Sequence, residues 1–580
     1  MMLRMLKTRL MGRSGEEGIA LIIVIAIGAV LMILSTVAVT AALSAQKKSS
    51  NDASSGAAED AAYAGIEEYE SRLATNSSYF QYGNPAATFG TGSTLTLPTG
   101  AQANPAFGLG TTGTWASVPS STEKFRYEID TSKYLSTGVV RIRSTGLANG
   151  ITKSIIANVK QQGFLDFLYF TDYEIQDPLI SGAPTSCVAY AWAGRSSSCQ
   201  AIQFAAQDDI QGPVHSNDTL QICGAEFDGI VTTGNSTPSG GRYYTIPSGC
   251  SAGNFAQGNP YYSPPVPMPA TNSQMKAQVR TDISSTVPRP GCLFTGPTSI
   301  TWLGNGKVTV RSPWTKFTQV QGDPATSGSN PADGTCGTPG SGSGGIESST
   351  GSTFTPRTNT VMYVQNVPTV TGDPNRWGSS TPSGYSCKGA DGSTTGNGIG
   401  YPMTNEKAPS SSSYGCQNGD VFVKGGVVGQ YSIAAENYIY VTGDITYGDA
   451  SSDILGLAAN NAVWVYNPIN SSGSNLMTDM NRNISAAIMS VAHSFQVQNY
   501  DQGGNRGTLT VRGAIAQKFR GTVATTSNGN IATGYAKNYI YDGRLKYSAP
   551  PDFLSPLTTT YGVTTWIDTA PAFKADGSYS

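Results

Sequence analysis

Charge is scarce in this chain. Lysine, arginine, aspartate and glutamate together supply 13% of its 580 residues, about half the usual share. The two signs nearly cancel, at a formal net charge of −2. So small a net charge is not the profile of a charged disordered chain, and it offers no field to gather nucleic acid. Histidine is scarcer still, with two copies, His215 and His493, which leaves little for imidazole-based catalysis or metal binding. No cysteine precedes Cys187, and the eight that occur contain no Cys-x-x-Cys pair to support a zinc or thioredoxin-like site. A P-loop, a Gly-x-Ser-x-Gly elbow and a dinucleotide fingerprint in context are also missing.

What acidic residues there are do not assemble into chemistry. His215 is near Asp208, Asp209 and Asp218 in sequence, but the Gly-Pro before it marks a turn and no second histidine stands close. Asp444, Asp449 and Asp453 crowd into one connection, so no two carboxylates take the separation that glycoside hydrolysis needs. The segment 391–400 lacks the carboxylate density of a calcium loop. The chain reads as a non-enzyme, with no cofactor and no metal.

The N-terminus carries the strongest positive signal. Arg4, Lys7, Arg9 and Arg13 precede Glu16, Glu17 and Gly18, and then Ile19 to Gln46 run without a charge. A helix of that length rises about 42 Å, more than the ~30 Å hydrocarbon core of a bilayer. The basic leader places the N-terminus in the cytoplasm and the remainder outside. Beyond the apolar run, Ala58, Ala62, Ile66, Tyr69 and Leu73 step by three and four, one face of a helix, and Glu68 and Arg72 form an i,i+4 pair. One helix is predicted from the membrane into the soluble part.

This combination resembles the N-terminal segment of type IV pilins, and the residues EEGIALIIVIAIG and AAYAGIEEYESRL resemble PilX-type minor pilins in particular. The resemblance covers about the first 75 residues. It implies cleavage by a prepilin peptidase between Gly18 and Ile19, and association with other pilin-like subunits. It also implies a glutamate at the fifth mature position, where this chain has Ile23. Absence of that glutamate resembles tip pseudopilins and minor pilins. A second candidate cut, Gly12–Arg13, puts Glu17 at that position but begins the mature chain with charged and polar residues. An uncleaved membrane-anchored adhesin or envelope scaffold is the competing reading, and an anchored polysaccharide-active enzyme stands third.

The expected organisation is leader 1–18, transmembrane and amphipathic helix 19–75, an antiparallel β region 76–165, a β-rich body 166–545, and a C-terminal tail 546–580. The fold class is α+β, mostly β. Residues 76–120 read as loop, and FRYEID, GVVRIRSTG and TKSIIANVK as a meander. Phe164–Ile175 is an aromatic cluster assigned to core or a domain junction. SIAAENYIYV (432–441), GLAANNAVWV (456–465) and IMSVAHSFQV (488–497) align as repeats, matching Ile433, Leu457 and Met489, matching Ile439, Val463 and Phe495, and placing His493 in the slot of Asn437 and Asn461. A shorter repeat, Val-x-Gly-x-aliphatic, starts at Val423, Val441 and Val511. Such periods predict stacked coils, a parallel β-helix, with a meandering β-sandwich as the alternative. Segment 210–233 is expected to supply earlier coils.

Two Gly/Ser-rich stretches, near 321–357 and 379–418, read as surface insertions. Tyr438, Tyr440 and Trp464 alternate with the aliphatic set and so face outward, where they could bind a surface glycan or a partner protein. The even set of cysteines, Cys187, Cys199, Cys223, Cys250, Cys292, Cys336, Cys387 and Cys416, suits disulfides formed in an oxidising space. Nearest-neighbour pairing, beginning Cys187–Cys199, is expected because the cysteines lie among turn residues.

Overall fold

The computed structural model describes residues 17–580 apart from 101–102, 110–112, 133, 135–138, 162, 393–394, 409–413, 528–529, 547 and 556–560. The leader charges Arg4, Lys7, Arg9, Arg13 and Glu16 lie outside the described residues. The chain divides into two units, one formed by 1–161 with 561–580 and the other by 162–560.

In the first unit the uncharged run and the amphipathic stretch form one unbroken helix, α1 (Glu17–Thr75). Ala58, Ala62, Ile66, Tyr69 and Leu73 are all fully buried, as their spacing predicts. They pack on an antiparallel sheet of β1 (Ala116–Ser117), β2 (Lys124–Asp130), β3 (Val139–Ala148) and β4 (Ile151–Gln161). The stretch 76–120 is irregular but not merely loop, since Tyr79, Leu95 and Phe107 join the same core. Tyr69 meets the rings of Tyr79, Phe107 and Tyr127 edge-on.

The C-terminal residues correct the expectation of a tail. The strand Tyr561–Thr569 pairs antiparallel with β4, with Tyr561 opposite Gln161. The chain therefore leaves this sheet at the end of β4 and re-enters it at the paired position, with the sequence of the second unit inserted between the two strands. After that strand, Phe573 lies 3.6 Å under the Arg126 guanidinium and the carbonyl of Gly577 accepts from its Nη1 at 2.8 Å. Both contacts fall on the buried Arg126, whose guanidinium also lies over the Trp115 ring.

The second unit is a stack of parallel coils. One residue per coil forms a column in direct register: Val231, Val214, Tyr169, Ile515, Ile488, Leu457, Ile433, Met362 and Cys292. All nine are buried in one core cluster. A second column, Ile445, Ile484, Val511, Tyr539, Ile210, Phe227 and Phe255, runs through the same core. Stacking makes each coil bury its neighbour's apolar side, which none could do alone.

The order of the stack is not the order of the chain. The strand Tyr169–Tyr173, first in the unit, lies between Asn505–Phe519 and Val214–Ser216. From there the chain builds outward to Tyr261–Tyr262, then starts again at Cys292–Thr295 and works back to Asn505–Phe519. Segment 210–233 thus belongs to the stack but follows the 505–519 strand in it. The Phe164–Ile175 cluster is core.

The repeats hold with one correction. Ile433 pairs with Leu457, as aligned, but Leu457 pairs with Ile488 rather than Met489. The earlier register runs on through the corner, where the His493 N–H donates to Asn461 O, and one extra residue after His493 restores the aligned register, so that Trp464 opposes Gln496. The shorter repeat is not a structural one. A bulge after Val423 pairs Gly425 with Ile445 instead of Gly443, and Val511 stands in the Ile445 column.

Candidate functional site

The half of α1 that follows Gly18 has no partner within the first unit. The large apolar side chains from Leu21 to Leu43 are each 51–72% exposed, and this stretch is long and apolar enough to cross a membrane. Burial begins at Ser54. The change has a local cause. Ahead of it the helix carries bulky aliphatics on every side, whereas beyond it Ala58, Ala61, Ala62 and Gly65 let the helix lie close on β3. A Cβ on Gly146 would stand 1.9 Å from the Ala58 carbonyl oxygen, and one on Gly65 2.4 Å from Ser144 Oγ. Glu17, Gly18 and Ile19 form the first turn of α1.

The outward aromatic face is not free, which corrects the expectation for Tyr438, Tyr440 and Trp464. They face away from the aliphatic column, yet their exposures are 5%, 0% and 7%. The 379–418 segment covers them. Its Tyr401 stacks on Phe422 with centroids 3.9 Å apart, and Phe422 stacks in turn on Tyr440 at 4.9 Å. Glu406 anchors the cover, accepting from Met403 N–H at 2.8 Å, Tyr414 Oη at 2.7 Å and Tyr466 Oη at 2.6 Å. Burial raises its pKa, and these bonds hold the rise back. The Gly/Ser-rich composition hides three tyrosines and one methionine, Tyr385, Tyr401, Tyr414 and Met403, that supply this packing. The other insertion behaves likewise, with Cys336, Ile346 and Phe354 buried.

Disulfides join Cys187 to Cys199, Cys223 to Cys250, Cys292 to Cys336 and Cys387 to Cys416. Each partner is the next cysteine along the chain. The last pair closes the aromatic cover, and Cys292–Cys336 ties an insertion to the end of the main column.

The histidines hold structural positions. His215 is fully buried against Phe167 and Phe170. Its Nδ1 lies 2.8 Å from Thr232 Oγ1 and its Nε2 3.1 Å from Asn217 Oδ1, so no aspartate touches it. Burial pushes the imidazole down to about 4. His493 Nδ1 bonds Asp177 Oδ2 at 2.7 Å at a coil corner. Asp218 instead pairs with Arg195, and Asp208 with Lys537 at 2.7 Å. Asp444 pairs with Arg482 at 2.9 Å. Among the described residues no three acidic, histidine or cysteine side chains gather to hold a metal.

Two buried ion pairs, Arg520–Glu174 at 2.7 Å and Lys537–Asp208, join positions more than three hundred residues apart. No local pattern marks them as partners. For the Arg520–Glu174 pair the one signal is charge within largely apolar strand sequence, Asp172 and Glu174 in FLYFTDYEI and Lys518 and Arg520 in AIAQKFR, where a charge needs a counter-charge to be buried.

No family model matches the chain, and no curated protein matches it. Among solved structures, it is similar to the crystal structure of the competence-associated pilin ComZ from Thermus thermophilus, at 12% identity and a TM-score of 0.27, over 89% of this chain and 97% of that one.

Proposed function

We propose that this protein is a pilin-type subunit of a surface filament, held by α1 in the membrane before assembly. One observation carries the reading: α1 is divided between a half packed on its own sheet and an apolar half, Leu21–Leu43, left exposed behind Gly18. An uncharged helix of this kind is stable in lipid or against similar helices, and Ala26, Gly28 and Ala29 allow close helix–helix approach. The partners on this reading are the membrane, other pilin-like subunits, and a prepilin peptidase acting between Gly18 and Ile19. The basic leader stays cytoplasmic and both units lie outside, an orientation supported by four disulfides. Ile23 in place of a mature fifth-position glutamate suits a tip or low-copy subunit of PilX type.

The role is assembly and binding rather than catalysis, a reading supported by the structural commitments of both histidines and by the pairing of Asp208, Asp218 and Asp444. Any adhesive contact with a glycan or partner protein must use a surface other than Tyr438, Tyr440 and Trp464.

Sequencing the N-terminus of the protein from cells with and without prepilin peptidase tests the proposal. The expected result is a mature chain beginning at Ile19, free or methylated, that copurifies with pilin-like subunits. A chain that keeps Met1 and copurifies with none of them overturns it in favour of an uncleaved surface anchor.

A further inference from the structure

A recess of about 430 Å³ opens on the side of the coil stack. It is built from segments far apart in sequence: Gln176, Gln200 and Gln203, the loop at Tyr500 and Asp501, Thr522 and Thr525, and Lys537. None of these belongs to the helix or to the covered aromatic face. Its size is that of a small-molecule site.

The floor is charged but balanced. Lys537 Nζ bonds Asp208 Oδ2 at 2.7 Å, and beneath them Arg520 bonds Glu174 at 2.7 Å while its guanidinium lies 3.4 Å over the Phe204 ring. Two cations face two anions. The ammonium has three donors, and Asp208 is its one acceptor among the described residues, which leaves protons for a ligand's oxygen atoms.

The rim is rich in neutral hydrogen-bonding groups. Gln200 and Gln203 are exposed, and Thr522 and Thr525 bring hydroxyls. Tyr500 is half-buried, its Oη accepting from Gln176 Nε2 at 2.6 Å, so the ring is held in place at the mouth. Ile202 and Val523 add apolar surface beside it. Asp501 adds an exposed carboxylate. Counting Asp208, Asp501 and Lys537, the lining carries one net negative charge, which disfavours phosphates and other anions.

Planar amides, hydroxyls, one carboxylate and a fixed aromatic ring over a charge-balanced floor match a ligand with many hydroxyls, a C–H face and no charge. We propose that this recess binds a neutral saccharide. The inference stands apart from the pilin reading, since it uses none of the residues of α1.

The test uses the full chain in lipid nanodiscs, because glycoside detergents would compete. Glucose, galactose, mannose, N-acetylglucosamine and their disaccharides are titrated by saturation-transfer NMR, with glucose 6-phosphate as the anionic comparison. At least one neutral sugar is expected to bind, and Tyr500→Ala and Asp501→Asn are each expected to weaken it by about tenfold. Both positions are on the rim, and an unchanged unfolding midpoint confirms the fold. The proposal is overturned if no sugar in the panel binds, if binding survives both substitutions, or if the phosphate ester binds as tightly as the neutral sugar.

Discussion

Gly146 of β3 lies so close to Ala58 of α1 that a Cβ there would stand 1.9 Å from the Ala58 carbonyl oxygen and 2.6 Å from the Ala62 nitrogen. Backbone, unlike a flexible side chain, cannot step aside. Gly146→Ala is therefore expected to push α1 off the sheet and destabilise the first unit by about 1–3 kcal/mol. Gly28→Ala, with nothing within 4 Å of its Cβ, is expected to leave the unit unchanged. Chemical unfolding and limited proteolysis of 54–75 measure both.

Disulfide removal should rank with the loop each bond closes. Cys292–Cys336 spans 44 residues and Cys187–Cys199 spans 12. Chain entropy assigns them about 4 and about 3 kcal/mol. Paired Cys→Ser variants, compared by thermal unfolding, are expected to show the larger drop for the longer loop. Equal drops would contradict the entropic ranking.

Two buried groups give pH dependences of opposite sign. Burial pushes Asp420 from 3.8 up to about 7, while its bonds to Tyr438 N–H and the Asn437 amide act against the rise. The folded state then holds a proton that the unfolded state releases, so stability is lost as pH rises from about 4 to about 7. Relative to the native chain, Asp420→Asn should gain stability across that window.

For His215 the direction reverses. Burial lowers it from 6.5 to about 4, so the unfolded state takes up a proton first and stability is lost as pH falls through that window. His215→Gln should gain on the native chain toward acid. Urea midpoints at several pH values separate the two, and parallel curves for all three proteins would refute both assignments.

The exposed half of α1 should respond to charge as a membrane segment does. A lysine at its centre, Val30→Lys, raises the cost of insertion by about 2.5–3.5 kcal/mol. Carbonate extraction is expected to move that variant toward the soluble fraction. A chain beginning at Lys47 is expected to be soluble outright, with the packing that starts at Ser54 intact.

Much was written locally in the residues. The uncharged run from Ile19 to Gln46 and the spacing of Ala58, Ala62, Ile66, Tyr69 and Leu73 determine a helix and its buried face, because helical period and lipid solubility act within a few turns. The alternation in β2, β3 and β4 and the match of Ile433 with Leu457 were legible for the same reason. So was the assignment of Tyr440 and Trp464 to the side away from the aliphatic column. Whether that side met water was not, since Tyr401 and Glu406, which belong to the cover over them, sit in a stretch whose composition resembles loop.

Tertiary structure alone decided the rest. The edge of one coil looks chemically much like the edge of another, so nothing short-range tells Tyr169 that it will lie between Ile515 and Val214, or Tyr561 that it will return to Gln161. Those pairings follow from which open edges remain when the whole stack has formed. The recess at Tyr500 and Lys537 exists only because that ordering brings its walls together, and for that reason no stretch of sequence announces it.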